Sequence, residues 1–173
     1  EKISIDNKFR RENCIPIYLD HELRTEFLEG FCDTTIWPLF NYFTQIARYN
    51  PANWEAYKKV NQIYAALIAK YVNNDDVIWI HDHHLMLLPQ MIREKFPNIS
   101  IGYFQHIPFP SFEIFRLLPW RMELLEGMLS ADLVGFHTYD YQRHFMSCVR
   151  RLLGHETVFN RIRLNERIAM VDA

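Results

Sequence analysis

Three short apolar runs in the sequence are each followed closely by histidine. His81 and Asp82 come directly after the first run, His106 lies two residues beyond the second, and His137 directly follows the third. If the runs are parallel strands, their carboxyl ends share one edge of a sheet, where ligands bind. Imidazole and carboxylate groups bind hydroxyls well, so Asp82 and His106 are candidate ligands for a polar substrate such as a sugar. The alternative is that these side chains are only structural hydrogen-bond partners.

The sequence HDHH at positions 81–84 contains ligand types that zinc and iron accept. Successive residues at a strand-to-helix corner point in different directions, and no HExxH or CxxC spacing completes a coordination shell. The cysteines are also few and widely spaced, at Cys14, Cys32 and Cys148. We therefore predict no metal and no other cofactor.

Two further segments could contribute to a binding site. His106 begins the sequence HIPFPS, in which two prolines predict a rigid turn and Ser111 a helix cap. Trp37 precedes a proline in an aromatic stretch, where its indole could stack on a sugar face or offer its N–H to a phosphate. The competing interpretations are that HIPFPS is only a stiff loop and that Trp37 is a core residue.

Positioning these side chains requires strands that alternate with helices. The apolar runs 77–80, 99–104 and 133–136 read as buried parallel strands, and the segments between them have helical patterns. This alternation predicts an α/β fold with a Rossmann-like, doubly wound parallel sheet. We also expect a long helix from Asn53, a helix before a Gly154 cap, a short strand at 14–19, a helix at 22–27, and a closing hairpin after Glu156 with a turn at Asn165-Glu166.

Composition limits the possible function classes. The 173 residues include 19 Lys plus Arg and 21 Asp plus Glu, a formal net charge of −2, which argues against a generally basic nucleic-acid binder. No apolar run reaches the roughly 18 residues of a membrane span, and no signal peptide is evident, so we expect a cytoplasmic protein. The 5 glycines match neither GxGxxG nor a P-loop, and we expect the chain to be an excerpt of a longer protein.

Four motifs together are far more specific than any one of them. They are WPLF at 37–40, VIWIHDHHLMLLP at 77–89, IGYFQHIPFPSFEIFRLLPWR at 101–121 and DLVGFHTYDYQRHF at 132–145. In order and spacing they resemble the trehalose-6-phosphate synthase family. The resemblance implies a GT-B fold, with residues 1–173 forming most of one Rossmann-like, acceptor-side domain. The first strand and the donor-binding domain would lie outside this chain.

The resemblance also implies a reaction and its residues. The family transfers glucose, with retention and without a metal, from a nucleotide sugar, usually UDP-glucose, to glucose 6-phosphate. Trp37 and Asp82 match acceptor-binding positions, and His106 matches the histidine that contacts the donor glucose, which makes it the candidate catalytic residue. Leu28 stands where the family usually has a tyrosine that contacts the acceptor phosphate. Smaller departures are Asn41 for His, His83 for Tyr and Gln105 for Leu.

Leu28 keeps two alternatives open beside the synthase hypothesis. One is a regulatory or sugar-phosphate-sensing relative without turnover, and the other is a related transferase with a different acceptor. We expect the excerpt alone to be inactive, because the family's acceptor-binding arginine and the groups that hold the donor diphosphate lie outside it. The expected partners are a sugar phosphate and a nucleotide sugar, without nucleic acid or membrane; a homo-oligomer and a fused phosphatase domain remain open.

Overall fold

The computed structural model describes residues 9, 11–165 and 167–173. Its centre is a six-stranded sheet in the order β1-β2-β3-β6-β5-β4. The strands span Val77–His81 (β1), Ser100–Phe104 (β2), Leu133–Gly135 (β3), Thr157–Val158 (β4), Arg161–Arg163 (β5) and Ile168–Asp172 (β6). β1, β2, β3 and β6 pair in parallel, whereas β4 and β5 are antiparallel additions at one edge. The predicted α/β fold with a mainly parallel sheet is confirmed.

Helices occupy the connections between the strands and most of the segment before them. The α-helices span His21–Arg24 (α1), Trp37–Phe40 (α2), Pro51–Ile68 (α3), Leu88–Lys95 (α4), Phe112–Phe115 (α5), Arg121–Leu129 (α6) and Tyr139–Cys148 (α7). Wider π-helical segments span Thr25–Ile36 and Val149–Leu153, and a 3₁₀ turn spans His83–Leu85. None of the helices in the described part of the chain has the length and apolar character needed to cross a bilayer.

The three predicted parallel strands lie within one residue of their expected positions. The expected long helix is α3, and α7 with the π-helical segment after it ends before Gly154, whose φ of 72° is the left-handed conformation expected of a helix cap. The predicted closing hairpin is β5–β6: its antiparallel strands pair Arg163 with Ile168, so their connection lies where the turn at Asn165-Glu166 was expected. β4 pairs with β5 in a second hairpin, with its turn at Phe159 and Asn160. Glu166 itself lies outside the described residues.

One local prediction was wrong, and two were right only in part. Residues 14–19 form no strand; Ile15 and Ile17 instead line a groove together with Tyr64 and Ile68 of α3. The helix expected at 22–27 is present but longer, because helical backbone continues through the π-helical segment and α2 to Phe40. Ser111 occupies the cap position of α5 without a side-chain capping bond.

The two faces of the sheet differ in character. Ile80, Tyr103 and Val134 point to one face, where they are buried in the hydrophobic core. On the other face Trp79 lies across Gly102, where a Cβ would collide with its ring. Trp79 is 47% exposed, so this face presents a flat aromatic surface that runs toward the strand ends.

A glycine allows close approach of helix α6 to the chain segment before α4. A Cβ at Gly127 would collide with the carbonyl oxygen of Met86 and lie 3.0 Å from Cα of Leu87. Gly127→Ala ordinarily favours a helix by about 1 kcal/mol, but this collision with backbone atoms reverses the sign. We expect Gly127→Ala to lower the free energy of unfolding by about 1–3 kcal/mol, measured by urea denaturation. Glu126→Ala, at the exposed neighbouring position, is the control, and equal stability of the two variants would contradict the packing.

Candidate active site

The carboxyl ends of the three central strands place polar side chains next to one another. Hydrogen bonding continues one residue past each strand: the Asp82 N–H donates to the Phe104 carbonyl at 2.7 Å, and the Gln105 N–H donates to the Gly135 carbonyl at 3.0 Å. The chain then turns away, so the following side chains open onto the sheet edge. Asp82 and His106, predicted from their positions after the strands, are thereby brought together.

A row of three histidines crosses this edge. His81 Nδ1 lies 2.8 Å from His106 Nε2, and the two rings are stacked with centroids 5.1 Å apart. His137 follows on the other side of His106, at a centroid distance of 5.5 Å. Phe104 packs beneath both His106 and His137. The His106 ring is thus fixed from three sides, which suits a side chain that must hold one orientation toward a substrate.

Asp82 connects the first strand end to the second. Its Oδ1 accepts a hydrogen bond from the His106 backbone N–H at 3.2 Å and lies 3.1 Å from His83 Nδ1, and its Oδ2 lies 3.9 Å from His84 Nδ1. Partial burial opposes ionisation, but the contacts with His83 and with the His106 N–H outweigh it, so the pKa of Asp82 is held well below its usual value. Asp82 therefore carries a negative charge at neutral pH.

The backbone of Asp82 is also unusual. Its φ is 69°, a left-handed value that is uncommon for a residue other than glycine. Such conformations persist where the surroundings impose them, and they cluster at functional sites. Here the N–H bond to Phe104 and the carboxylate bond to His106 fix Asp82 at both ends.

The long helix α3 supports the turn after β1 through side chains that sequence reasoning did not assign to the site. Tyr57 donates its hydroxyl to the His83 carbonyl at 2.8 Å and accepts from the Met86 N–H at 2.9 Å. Asn61 Nδ2 donates to the His84 carbonyl at 3.1 Å. In the sequence, these two residues are only a tyrosine and an asparagine at helical spacing on an apolar helix face. That pattern also fits ordinary core packing.

Trp37 lies at the start of α2 and is not a core residue. It is 43% exposed and stacks on Phe43, with centroids 6.1 Å apart and an interplanar angle of 12°. Its segment packs on the loop after His106 through the Phe40 and Phe109 rings, 5.5 Å apart. Among the described residues, no hydrogen bond or ring contact joins Trp37 directly to Asp82 or His106. The indole therefore presents an exposed face instead of a buried one.

The same loop is tied down at two further points. The Ser111 N–H donates to the Tyr42 hydroxyl at 2.9 Å, and His144 Nδ1 lies 3.0 Å from the Phe109 carbonyl. These contacts hold the rigid turn that the two prolines predicted. The loop that begins at His106 is thus anchored both to the Trp37 segment and to α7.

Comparison with known proteins identifies the family. The profile of glycosyltransferase family 20 matches residues 1–173. The chain belongs to glycosyltransferase family 20. The α,α-trehalose-phosphate synthase (UDP-forming) of Emericella nidulans is 47% identical over 170 residues, covering 95% of this chain and 34% of that protein. The resemblance to the trehalose-6-phosphate synthase family, inferred from the four motifs, is confirmed.

Solved structures of family 20 relatives have the same fold. The N-terminal domain of Candida albicans trehalose-6-phosphate phosphatase superimposes with a TM-score of 0.88 at 35% identity, covering 99% of this chain and 38% of that one. A trehalose-phosphate synthase from Burkholderia xenovorans, solved with glucose-6-phosphate, gives 0.81 at 30% identity, covering 87% of this chain and 34% of that one. The expected Rossmann-like fold is confirmed, and the chain spans about a third of the length of its relatives.

Proposed function

We propose that this chain is the acceptor-side part of a retaining glycosyltransferase that makes trehalose 6-phosphate. The bond between the anomeric carbon of UDP-glucose and the diphosphate oxygen breaks, and the anomeric hydroxyl of glucose 6-phosphate forms the new bond, releasing UDP and a proton. The observation that carries the proposal is the coupling of Asp82 to His106 at the strand ends of a family 20 chain. Residues 1–173 would form one partial domain, inactive alone, in a cytoplasmic protein.

Asp82 is proposed to orient the acceptor. As an ionised carboxylate it accepts hydrogen bonds from sugar hydroxyls more strongly than a neutral group would. Its fixed backbone and its contact with His106 place the acceptor next to the donor subsite, which converts the encounter of two sugars into a positioned reaction.

His106 is proposed to bind the donor glucose close to the carbon that develops positive charge. Its contact with His81 and its position beside His137 fix the ring before substrate arrives. A preoriented hydrogen-bonding group needs little reorganisation in the transition state. The transfer chemistry itself is proposed to use no metal and no organic cofactor.

The exposed indole of Trp37 is proposed to bind the acceptor.

Leu28 stands where the family usually has a tyrosine that contacts the acceptor phosphate. Leu28 is half-buried against the core and carries no group that can bind phosphate. We expect Leu28→Tyr to lower KM for glucose 6-phosphate about tenfold, the worth of one hydrogen bond to a charged group. Leu28→Phe is the matched control without the hydroxyl, and an equal effect of both variants would show that the phosphate is not contacted there.

A second candidate function is sugar-phosphate binding without turnover. It is favoured by Leu28 and by the similarity to a domain that belongs to a phosphatase protein. A related transferase with a different acceptor is the third. A fused phosphatase domain and a homo-oligomer remain proposals for the whole protein.

One assay separates these functions. The protein expressed from its complete open reading frame is incubated with UDP-glucose, with and without glucose 6-phosphate, and UDP and trehalose 6-phosphate are quantified. UDP release that depends on glucose 6-phosphate and equals disaccharide formation supports the synthase. UDP release only with another sugar or a polyol indicates a different acceptor. Binding of glucose 6-phosphate without any transfer indicates a sensor and overturns the proposal.

A further inference from the structure

Three potential metal ligands meet beside Asp82. Cys32 Sγ and one ring nitrogen each of His83 and His84 all lie within 4.8 Å of one another. Cys32 belongs to the π-helical segment Thr25–Ile36, whereas the histidines belong to the 3₁₀ turn after β1. About fifty positions separate the thiol from the imidazoles in the sequence, so no local spacing could have revealed the cluster.

The chemistry of the cluster matches a thiophilic metal ion. A thiolate and two imidazoles are a common zinc ligand set, and ligand atoms on one tetrahedral ion lie about 3.5 Å apart. Adjustments of about 1 Å in these side chains would therefore close the shell. Asp82 Oδ1 is already 3.1 Å from His83 Nδ1, a separation that two atoms bound to one ion can have.

One ring nitrogen of His83 has no hydrogen-bond partner in the absence of an ion. His83 is 4% exposed, and its Nδ1 is buried without a hydrogen bond of acceptable geometry, although Asp82 is near. A buried nitrogen without a partner is costly, and coordination would satisfy it. Binding of a metal ion would displace the proton of the Cys32 thiol.

The turn that carries the two histidines is held in place, and one of its ligands, His84, is reachable from solvent. The carbonyls of His83 and His84 are fixed by Tyr57 and Asn61, so the turn is rigid. The side chain of His84 is 36% exposed, which leaves an entry path for an ion. Rigid support of this kind is typical of metal sites.

We propose that Cys32, His83 and His84 bind a divalent thiophilic metal ion, Zn²⁺ or Co²⁺, with Asp82 as the fourth ligand. The prediction from sequence that no metal binds is the competing outcome of the test below. Occupation would engage the carboxylate that is proposed to orient the acceptor, so the metal would inhibit transfer; only this consequence rests on the proposed function.

Cobalt spectroscopy tests the site directly. The reduced, metal-stripped protein from the complete reading frame is titrated with Co²⁺, which gives a near-ultraviolet charge-transfer band when a thiolate binds it. We expect one equivalent to produce that band with the visible absorption of a tetrahedral ion, and Zn²⁺ to abolish it. Cys32→Ser should lose the band, whereas Cys148→Ser, at a buried cysteine outside the cluster, should keep it. A band of unchanged intensity in Cys32→Ser, or none in the wild type, overturns the site.

A second variant guards against misfolding of Cys32→Ser. His84→Gln changes a partly exposed ligand, and we expect it to weaken Co²⁺ affinity at least about tenfold while circular dichroism stays unchanged. Unaltered affinity contradicts the site.

In the transferase assay, Zn²⁺ should raise KM for glucose 6-phosphate in the wild type and not in Cys32→Ser. Absence of that inhibition overturns the link to Asp82, whereas absence of transfer in every protein counts against the proposed function, not against the metal site.

Discussion

Asp82→Asn is expected to lower kcat/KM for glucose 6-phosphate about 100-fold. The amide keeps the size of the side chain but removes the negative charge, which strengthens the hydrogen bonds that the side chain accepts from the hydroxyls of the acceptor sugar. A hydrogen bond to a charged group contributes about 1.5–3 kcal/mol, which corresponds to about one to two powers of ten in rate. The backbone at φ 69° is tolerated by asparagine as well as by aspartate, so the variant should remain folded. Steady-state kinetics at several acceptor concentrations measures the effect.

Asp140→Asn is the matched control for this prediction. Asp140 is an exposed carboxylate in the first turn of α7 and pairs with Arg143 at 3.0 Å. Among the residues that the structure describes, it makes no hydrogen bond or ion pair with Asp82 or His106. Its variant should therefore retain the wild-type rate. If Asp82→Asn and Asp140→Asn have the same activity, Asp82 is a structural residue and does not bind the acceptor.

His106→Ala is expected to lower kcat by about 10²- to 10³-fold. Removal of one preoriented hydrogen-bonding group from a transition state typically has that effect. The variant also removes the partner of His81 and the ring between His81 and His137. Because His106 is exposed, the loss of core packing is small, and thermal unfolding should change little. Single-turnover measurement of UDP release at saturating acceptor isolates the chemical step.

The control for His106→Ala is His21→Ala. His21 is exposed at the start of α1, and among the described residues it makes no hydrogen bond or ring contact with the strand ends. Its variant should match the wild type in kcat and in KM. An unchanged kcat in His106→Ala would show that the histidine row supports the loop without contacting the reacting sugar.

The parallel sheet could be predicted because its signal is local. Each central strand is a short apolar run, and the rule for parallel sheets then places Asp82 and His106 on one edge without knowledge of tertiary structure. The segment 14–19 has the same apolar character but forms no strand, because whether a strand finds a partner depends on the rest of the fold.

The remaining parts of the site depend on contacts between distant residues. Cys32 meets His83 only because the π-helical segment packs against the turn after β1. The spacing of apolar residues did not predict that this segment would be a π-helix. Tyr57 fixes that turn from a third element. Sequence spacing therefore predicts which residues end a strand, but not which side chains from other elements reach them.

The central claim is that Asp82 and His106 serve glucosyl transfer to glucose 6-phosphate. The most direct measurement follows ¹³C-labelled UDP-glucose by NMR in the presence of glucose 6-phosphate, with the wild-type protein and the two variants. We expect an α,α-linked disaccharide phosphate, formed in equal amount to UDP by the wild type and at least about 100 times more slowly by Asp82→Asn and His106→Ala. Formation of that product at the wild-type rate by both variants would contradict it.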